Sequence, residues 1–217
     1  MKTRQEIKLQ AKVNMGKQRG TAILIELALV VIGLVSSLLS GIPFLGVVIS
    51  LAIACIIAVL EVGISGAYIS IYQNIRTSVS SVISSLQVNF MRKLGGMLWV
   101  GLWAFLWSLL FVIPGIIKAI SYSMTSYILA ECPNVQATDA IKLSMRITKG
   151  YKGELFVAGL SFIGWLLLGM ITCGILIVVH VGPYMNATFA GYYIELRNEA
   201  FKKGVVRPEE LGMAMAN

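Results

Sequence analysis

Two carboxylates, Glu26 and Glu61, sit inside runs of apolar residues. A charge in such a place costs about 2.5–3.5 kcal/mol on insertion scales when nothing pairs with it, so each must be protonated, hydrated or matched to a cation such as Arg19 or Lys17. At 1.5 Å per helical residue Glu26 lies roughly 10 Å in from one surface, and Glu61 roughly 26 Å from the opposite turn, which gives the two a comparable depth. If their helices pair, the carboxylates are neighbours. Two chemistries are then open: a proton or cation site, or side chains that snorkel toward headgroups or join a salt bridge that clamps helices.

Other groups lie nearer the surfaces. Lys118 is followed down one broad helix side by Ser121, Tyr122, Thr125 and Ser126; this stripe either lines a polar cavity whose cation meets an anionic group, or packs against another helix by hydrogen bonds. Lys142, Arg146 and Lys149 recur at i, i+4 and i+7 and suit the phosphates of anionic lipid, or simply set orientation. Trp99, Trp103 and Trp107 form an i, i+4, i+8 stripe of the kind that usually faces lipid or packs. His180 has no second His or Cys at ligand spacing, and Cys55, Cys132 and Cys173 are too scattered for a disulfide framework or a metal pattern. No GxSxG, HExxH, phosphate-loop or dinucleotide motif occurs. The expectation is therefore no enzyme, no metal and no cofactor.

The elements that carry these residues follow from composition. Of 217 residues, 57% are hydrophobic and 13% charged, with a mean hydropathy of +0.82, far more apolar surface than a soluble core of this size can bury. The surplus must face lipid. The net charge of +8 is gathered in short basic blocks between apolar runs, an orientation pattern and not a nucleic-acid footprint.

Residues 1–20 read as a basic amphipathic segment lying on the membrane face, 21–203 as a single membrane domain, and 204–217 as a flexible tail. Six spans are expected as three hairpins. The first runs 21–39, turns at Ser40–Pro43 and returns over about 44–68, with Gly33, Ser37 and Gly41 as a small-residue stripe for close helix approach. The second runs 97–112, turns at Ile113–Gly115 and returns over 116–130, where Cys132-Pro133 stops it. The third runs from 155 to about 176, turns at His180–Pro183 and returns from Tyr184. Residues 79–94 and 136–149 read as amphipathic surface helices. With the three Pro tips outside, all 18 Lys and Arg except Lys118 fall on one side, which the positive-inside rule makes the cytoplasm, together with both termini. Gly20, Gly96 and Gly153 each precede a span behind basic residues, and each hairpin carries a proline. This reads as three copies of one unit, although any chain of helical hairpins has basic near ends and Pro tips.

The series Ile113-Pro-Gly-Ile116, Tyr122-Ser-Met124, Tyr127-Ile-Leu-Ala130, Ala140-Ile-Lys-Leu-Ser144 and Glu154-Leu-Phe156, then Ser161-Phe-Ile-Gly-Trp165 and Gly182-Pro-Tyr184, resembles a bacterial membrane-protein family known as domain of unknown function 975. The likeness covers most of the chain and is most specific over 111–196. A looser likeness links it to the membrane domain beside some glycerophosphodiester phosphodiesterases. Gln136 stands where the family has a Ser or Thr helix cap, and Cys132 where it has a short polar residue. The resemblance implies a helical bundle of the bacterial inner membrane and supplies no activity or catalytic residue.

Together these readings predict an all-α, polytopic, six-span membrane bundle without enzymatic activity. It would bind lipid or a small amphiphile, with anionic membrane lipids as partners, or serve as a subunit of a membrane complex. The alternative is an ion- or proton-coupled transporter or channel working as a homo-oligomer, with Glu26, Glu61 and Lys118 along its path.

Overall fold

The Thr3 hydroxyl accepts from the Glu6 N–H while the Glu6 carboxylate accepts from the Thr3 N–H, a reciprocal cap that starts helix α1 (Arg4–Lys17). The computed structural model describes residues 1–39, 45–110 and 112–212, and among them every regular element is helical. After α1 come α2 (Arg19–Leu39), α3 (Leu45–Tyr72), α4 (Val79–Ser84), α5 (Phe90–Leu110), α6 (Val112–Tyr122), α7 (Thr125–Glu131), α8 (Ala137–Ile147), α9 (Lys152–Leu160), α10 (Ile163–Ile171) and α11 (Gly182–Lys202). A π-helical run, Ile177–Val181, leads into α11, and a 3-10 turn, Pro208–Leu211, follows it.

Among the described residues three stretches are long and apolar enough to cross a bilayer: Arg19–Leu39, Gly46–Tyr72 and Lys152–Ile171, with mean hydropathies of 2.6, 2.8 and 2.0. Protein buries only 11%, 22% and 22% of their most apolar windows, so the rest of that surface needs an apolar solvent. These are the first, second and fifth of the predicted spans. Among the described residues the other three do not reach that standard. The fourth is broken at Ser123–Met124 into α6 and α7, and the 11 residues of α6 extend only about 17 Å against a hydrocarbon core of roughly 30 Å. The sixth, α11, turns its apolar residues into protein: Ala187, Ala190, Tyr192, Tyr193 and Leu196 are all at or below 1% exposure. The third, α5, is 21 residues long but begins with Arg92 and Lys93 in its first turn.

Burial divides the molecule into two halves. Ile7, Ala11 and Met15 of α1, Leu60 to Tyr72 of α3, α7, the inner face of α8 and α11 pack into one core. Beyond it, Leu34 and Leu38 of α2, Val47 and Leu51 of α3, Leu109 of α5 and Ile171 of α10 stand exposed. The core half is thus built like a soluble protein and the other half like a lipid-facing one. In α1 the i, i+4, i+8 apolar stripe is covered by α3 and α11, while Leu9 and Val13 stand exposed. Its polar side chains cap α3, with Asn14 donating to the Tyr72 carbonyl at 2.7 Å and Gln18 to that of Ile75 at 2.9 Å.

The Pro tips also change. Pro43 lies outside the described residues. Pro114 sits in the first turn of α6, where a proline costs the helix no hydrogen bond, and the hairpin closes tightly because a Cβ on Gly115 would lie 2.9 Å from Ser108 Cα on α5. Pro183 is not at a tip. The third turn is Thr172–Gly174, where Cys173 and Gly174 adopt φ of 51° and 83°, eight or more residues earlier. Pro183 has no N–H for the carbonyl a turn before it, and the helix widens to π geometry over Ile177–Val181 just ahead of it, which lets the chain run through the proline. Of the small-residue stripe, a Cβ added at Gly33 would meet nothing within 4 Å among the described residues, and Gly41 is outside them.

Candidate functional site

Glu26 is held inside the bundle by two neutral donors. The Tyr68 hydroxyl of α3 and the Asn186 amide of α11 each donate to its Oε1 at 2.8 Å. Its Oε2 lies 3.0 Å from where a Cβ on Gly182 would stand, so that glycine makes room for the carboxyl group. Hydrogen bonds, and not a counter-charge, compensate this acid. Among the described residues neither Glu26 nor Glu61 forms an ion pair, and Lys17 donates instead to Asn74.

Glu61, Ser65 and Tyr68 follow at i, i+4 and i+7 on α3 and share one face. That face opens on a cavity of about 390 Å³, closed opposite by Ser123, Ser126 and Tyr127 around the α6–α7 break and by Asn186. Ser126 and Tyr127 are 8% and 7% exposed, and among the described residues neither hydroxyl has a hydrogen-bond partner. The helix break therefore delivers hydroxyl groups to the acid's cavity. Tyr68 and Asn186 belong to both places, since they line the cavity and bind Glu26. Tyr68 and Asn186 thus stand between Glu26 and the cavity that Glu61 lines.

The Lys118 stripe divides. Lys118 and Tyr122 face a second cavity, of about 470 Å³, whose other walls include Trp99, Trp103 and Trp107 of α5 and Ile141, Lys142 and Met145 of α8. The Lys118 ammonium stands 4.7 Å from the centre of the Trp107 ring, and Trp99 meets Trp103 edge to face at 5.9 Å. Ser121 turns inward, where its carbonyl accepts from Ser144 at 2.7 Å. The Thr125 hydroxyl is buried and, among the described residues, has no hydrogen-bond partner. The Trp stripe, which the sequence suggests as a packing or lipid-facing surface, is the wall of a groove. Its spacing was the signal.

The basic face of α8 also separates. Lys142 pairs with Asp139 at 3.1 Å and looks into the tryptophan groove. Arg146 pairs with Glu210 at 2.5 Å and donates to the Val205 carbonyl, which fastens the tail; this guanidinium holds the Glu210 carboxyl below the usual carboxylate range. Lys149 is exposed. Arg92, one of the cations that set the expected orientation, has a structural role: it donates to the carbonyls of Leu129, Cys132 and Val135 at the end of α7. Cys132 beside it is buried, and burial pushes its thiol up to about 12. His180 lies between the rings of Trp165 and Tyr184, and among the described residues no three potential metal ligands gather.

No curated protein and no solved structure matches the chain. A family does, by its description a protein of unknown function (DUF975), over residues 109–200. That stretch holds the α6–α7 break, Lys118, the basic face of α8 and Asn186, and leaves Glu26 and Glu61 outside it. Residues 109–200, the segment that carries the motifs quoted above, are what the chain shares with the DUF975 family, and the resemblance read from the sequence holds over that segment.

Proposed function

We propose that this protein is a non-enzymatic component of the bacterial inner membrane, with both termini cytoplasmic, that binds an anionic lipid or small amphiphile in the tryptophan groove. The observation that supports this reading is the groove's composition: three indoles and the side chains of Ile141 and Met145 offer an apolar wall, and Lys118 and Lys142 offer charge beside it. An amphiphile needs such a pairing of surfaces. The test uses the tryptophans as reporters. In detergent, a brominated amphiphile with an anionic head is expected to quench their fluorescence saturably, and the zwitterionic analogue only at concentrations several-fold higher. Lys118→Gln should remove about tenfold of that preference, since a charge-assisted contact is at stake. Quenching that rises without saturation and is indifferent to head charge and to Lys118 would sink the assignment.

A second reading, an oligomeric proton- or ion-coupled transporter or channel, is favoured by the polar cavity at Glu61 inside an apolar span. Proton flux into liposomes that Glu61→Gln abolishes would favour it. Flux equal in the variant and the parent protein would take Glu61 off the path.

A further inference from the structure

After α3 the chain runs through Arg76-Thr77-Ser78 into α4 and returns along the flank of α3. Gly63 permits this: a Cβ there would lie 2.2 Å from Ser85 Oγ and 3.1 Å from the Val82 carbonyl oxygen. Between α3, this connector and the start of α5 lies a cavity of about 430 Å³, distinct from both cavities above. Among the described residues two cations line it and no acid does.

Lys93 is the unusual member. It is only 6% exposed, its ammonium donates to the Ser85 carbonyl at 2.5 Å, and among the described residues no carboxylate pairs with it. Burial, and then the neighbouring charge of Arg92, push it below the ordinary lysine range. A buried ammonium without a counter-charge is costly, and such groups are normally paired. Among the described residues two of its three protons have no acceptor. Arg76, exposed at the mouth of the same cavity, has no acid or carbonyl partner among the described residues either. Around them stand the hydroxyls of Ser70, Thr77 and Ser81, whose bonds reach only the carbonyl one turn back or each other. Rotation can redirect them to a ligand at small cost.

We infer that this cavity is an anion site for a phosphate group, with Lys93 as the buried counter-charge, Arg76 as a bidentate arm at the mouth and the hydroxyls completing the shell. A carboxylate would use the fork of Arg76 and leave most of the hydroxyls idle, whereas a tetrahedral dianion uses both cations and the hydroxyls together. The phosphate belongs to a lipid headgroup or to a soluble phosphorylated compound, and the cavity has room for the organic part of either. The assignment does not depend on the tryptophan groove.

Full-length protein in uncharged detergent, titrated with inorganic phosphate and followed by phosphorus NMR line broadening, tests the soluble source. The same protein in phosphatidylcholine nanodiscs with and without phosphatidic acid, followed by native mass spectrometry, tests the headgroup. Binding in either arm is expected to weaken at least about tenfold in Lys93→Gln and in Arg76→Gln, and to stay within twofold of the parent in Lys12→Gln, which removes an equal charge from the exposed side of α1. Arg76 holds up no element, so its variant keeps the test sound if Lys93→Gln does not fold. Phosphate binding in detergent points to a soluble ligand, and retention of phosphatidic acid alone points to a headgroup. The site is overturned if neither probe binds, if Arg76→Gln binds as the parent does, or if Lys12→Gln loses as much as the pocket variants.

Discussion

Arg197→Met is expected to lower the unfolding free energy by about 3–5 kcal/mol, the largest loss from any single side chain outside the core. Arg197 of α11 pairs with Glu131 at the end of α7, with side-chain exposures of only 12% and 18%. The other carboxylate oxygen of Glu131 accepts from the Tyr193 hydroxyl at 2.6 Å, and the Tyr193 ring stacks on Tyr127 at 5.5 Å. Removal of the guanidinium strands a mostly buried carboxylate, which is costlier than the pair was ever worth. The double variant Arg197→Met, Glu131→Gln should therefore recover most of the loss, because glutamine leaves no charge and still accepts from Tyr193. Reversible unfolding in mixed micelles, followed by far-UV circular dichroism, provides the comparison. A double variant no more stable than Arg197→Met would show that the stranded charge is not the cause. The same network fixes α7 against α11, and these helices bring Ser126, Tyr127 and Asn186 to the Glu61 cavity, so a loosened network should also disturb that cavity.

The parts of this fold that were legible in the sequence are those set by composition over a long window. Long windows in which apolar residues dominate announce α2, α3 and the α9–α10 stretch, with mean hydropathies of 2.6, 2.8 and 2.0, since no soluble environment accommodates that much apolar surface. The family likeness was legible for a similar reason, as its motifs lie in order along a continuous stretch. What was missed turns on single residues with two meanings. Pro183 reads as a turn, yet a π-helical run ahead of it lets the helix pass, and the turn falls at Cys173-Gly174 where positive φ is adopted. Ser123-Met124 looks like the middle of a span, and only the structure reveals a break that brings Ser126 and Tyr127 to Glu61. Arg92 and Lys93 count equally toward orientation in the sequence, but one binds carbonyls at the end of α7 and the other lies buried beside a cavity. The stripe of Ile7, Ala11 and Met15 signals an amphipathic helix correctly. It cannot say whether lipid or α11 covers it.

That last question is answered at Gly191, where the second large effect is expected. Here α11 comes so close to α3 and α1 that a Cβ would stand 2.3 Å from Tyr72 Cε2, 2.7 Å from its Cζ and 2.9 Å from Ile7 Cγ2. Tyr72 cannot swing aside easily, since it is 1% exposed and its hydroxyl is 3.2 Å from Gln10 Oε1; Ile7 is fully buried. Helix propensity alone would make Gly191→Ala stabilising by about 0.8–1 kcal/mol. The clash decides otherwise: overpacking of this kind costs about 1–3 kcal/mol, so the net change should be destabilising. Gly95 in α5 supplies the opposite case, because it is exposed and a Cβ there meets nothing within 4 Å; Gly95→Ala should stabilise by up to about 1 kcal/mol. Limited proteolysis adds a readout of position. In Gly191→Ala the cleavage sites in α1 should become accessible before the rest of the molecule opens, since Ile7 is the contact displaced, while Gly95→Ala leaves them protected. If the two alanine variants shifted stability in the same direction, or if α1 were cut as readily in the parent as in Gly191→Ala, then α1 would not be seated on α11.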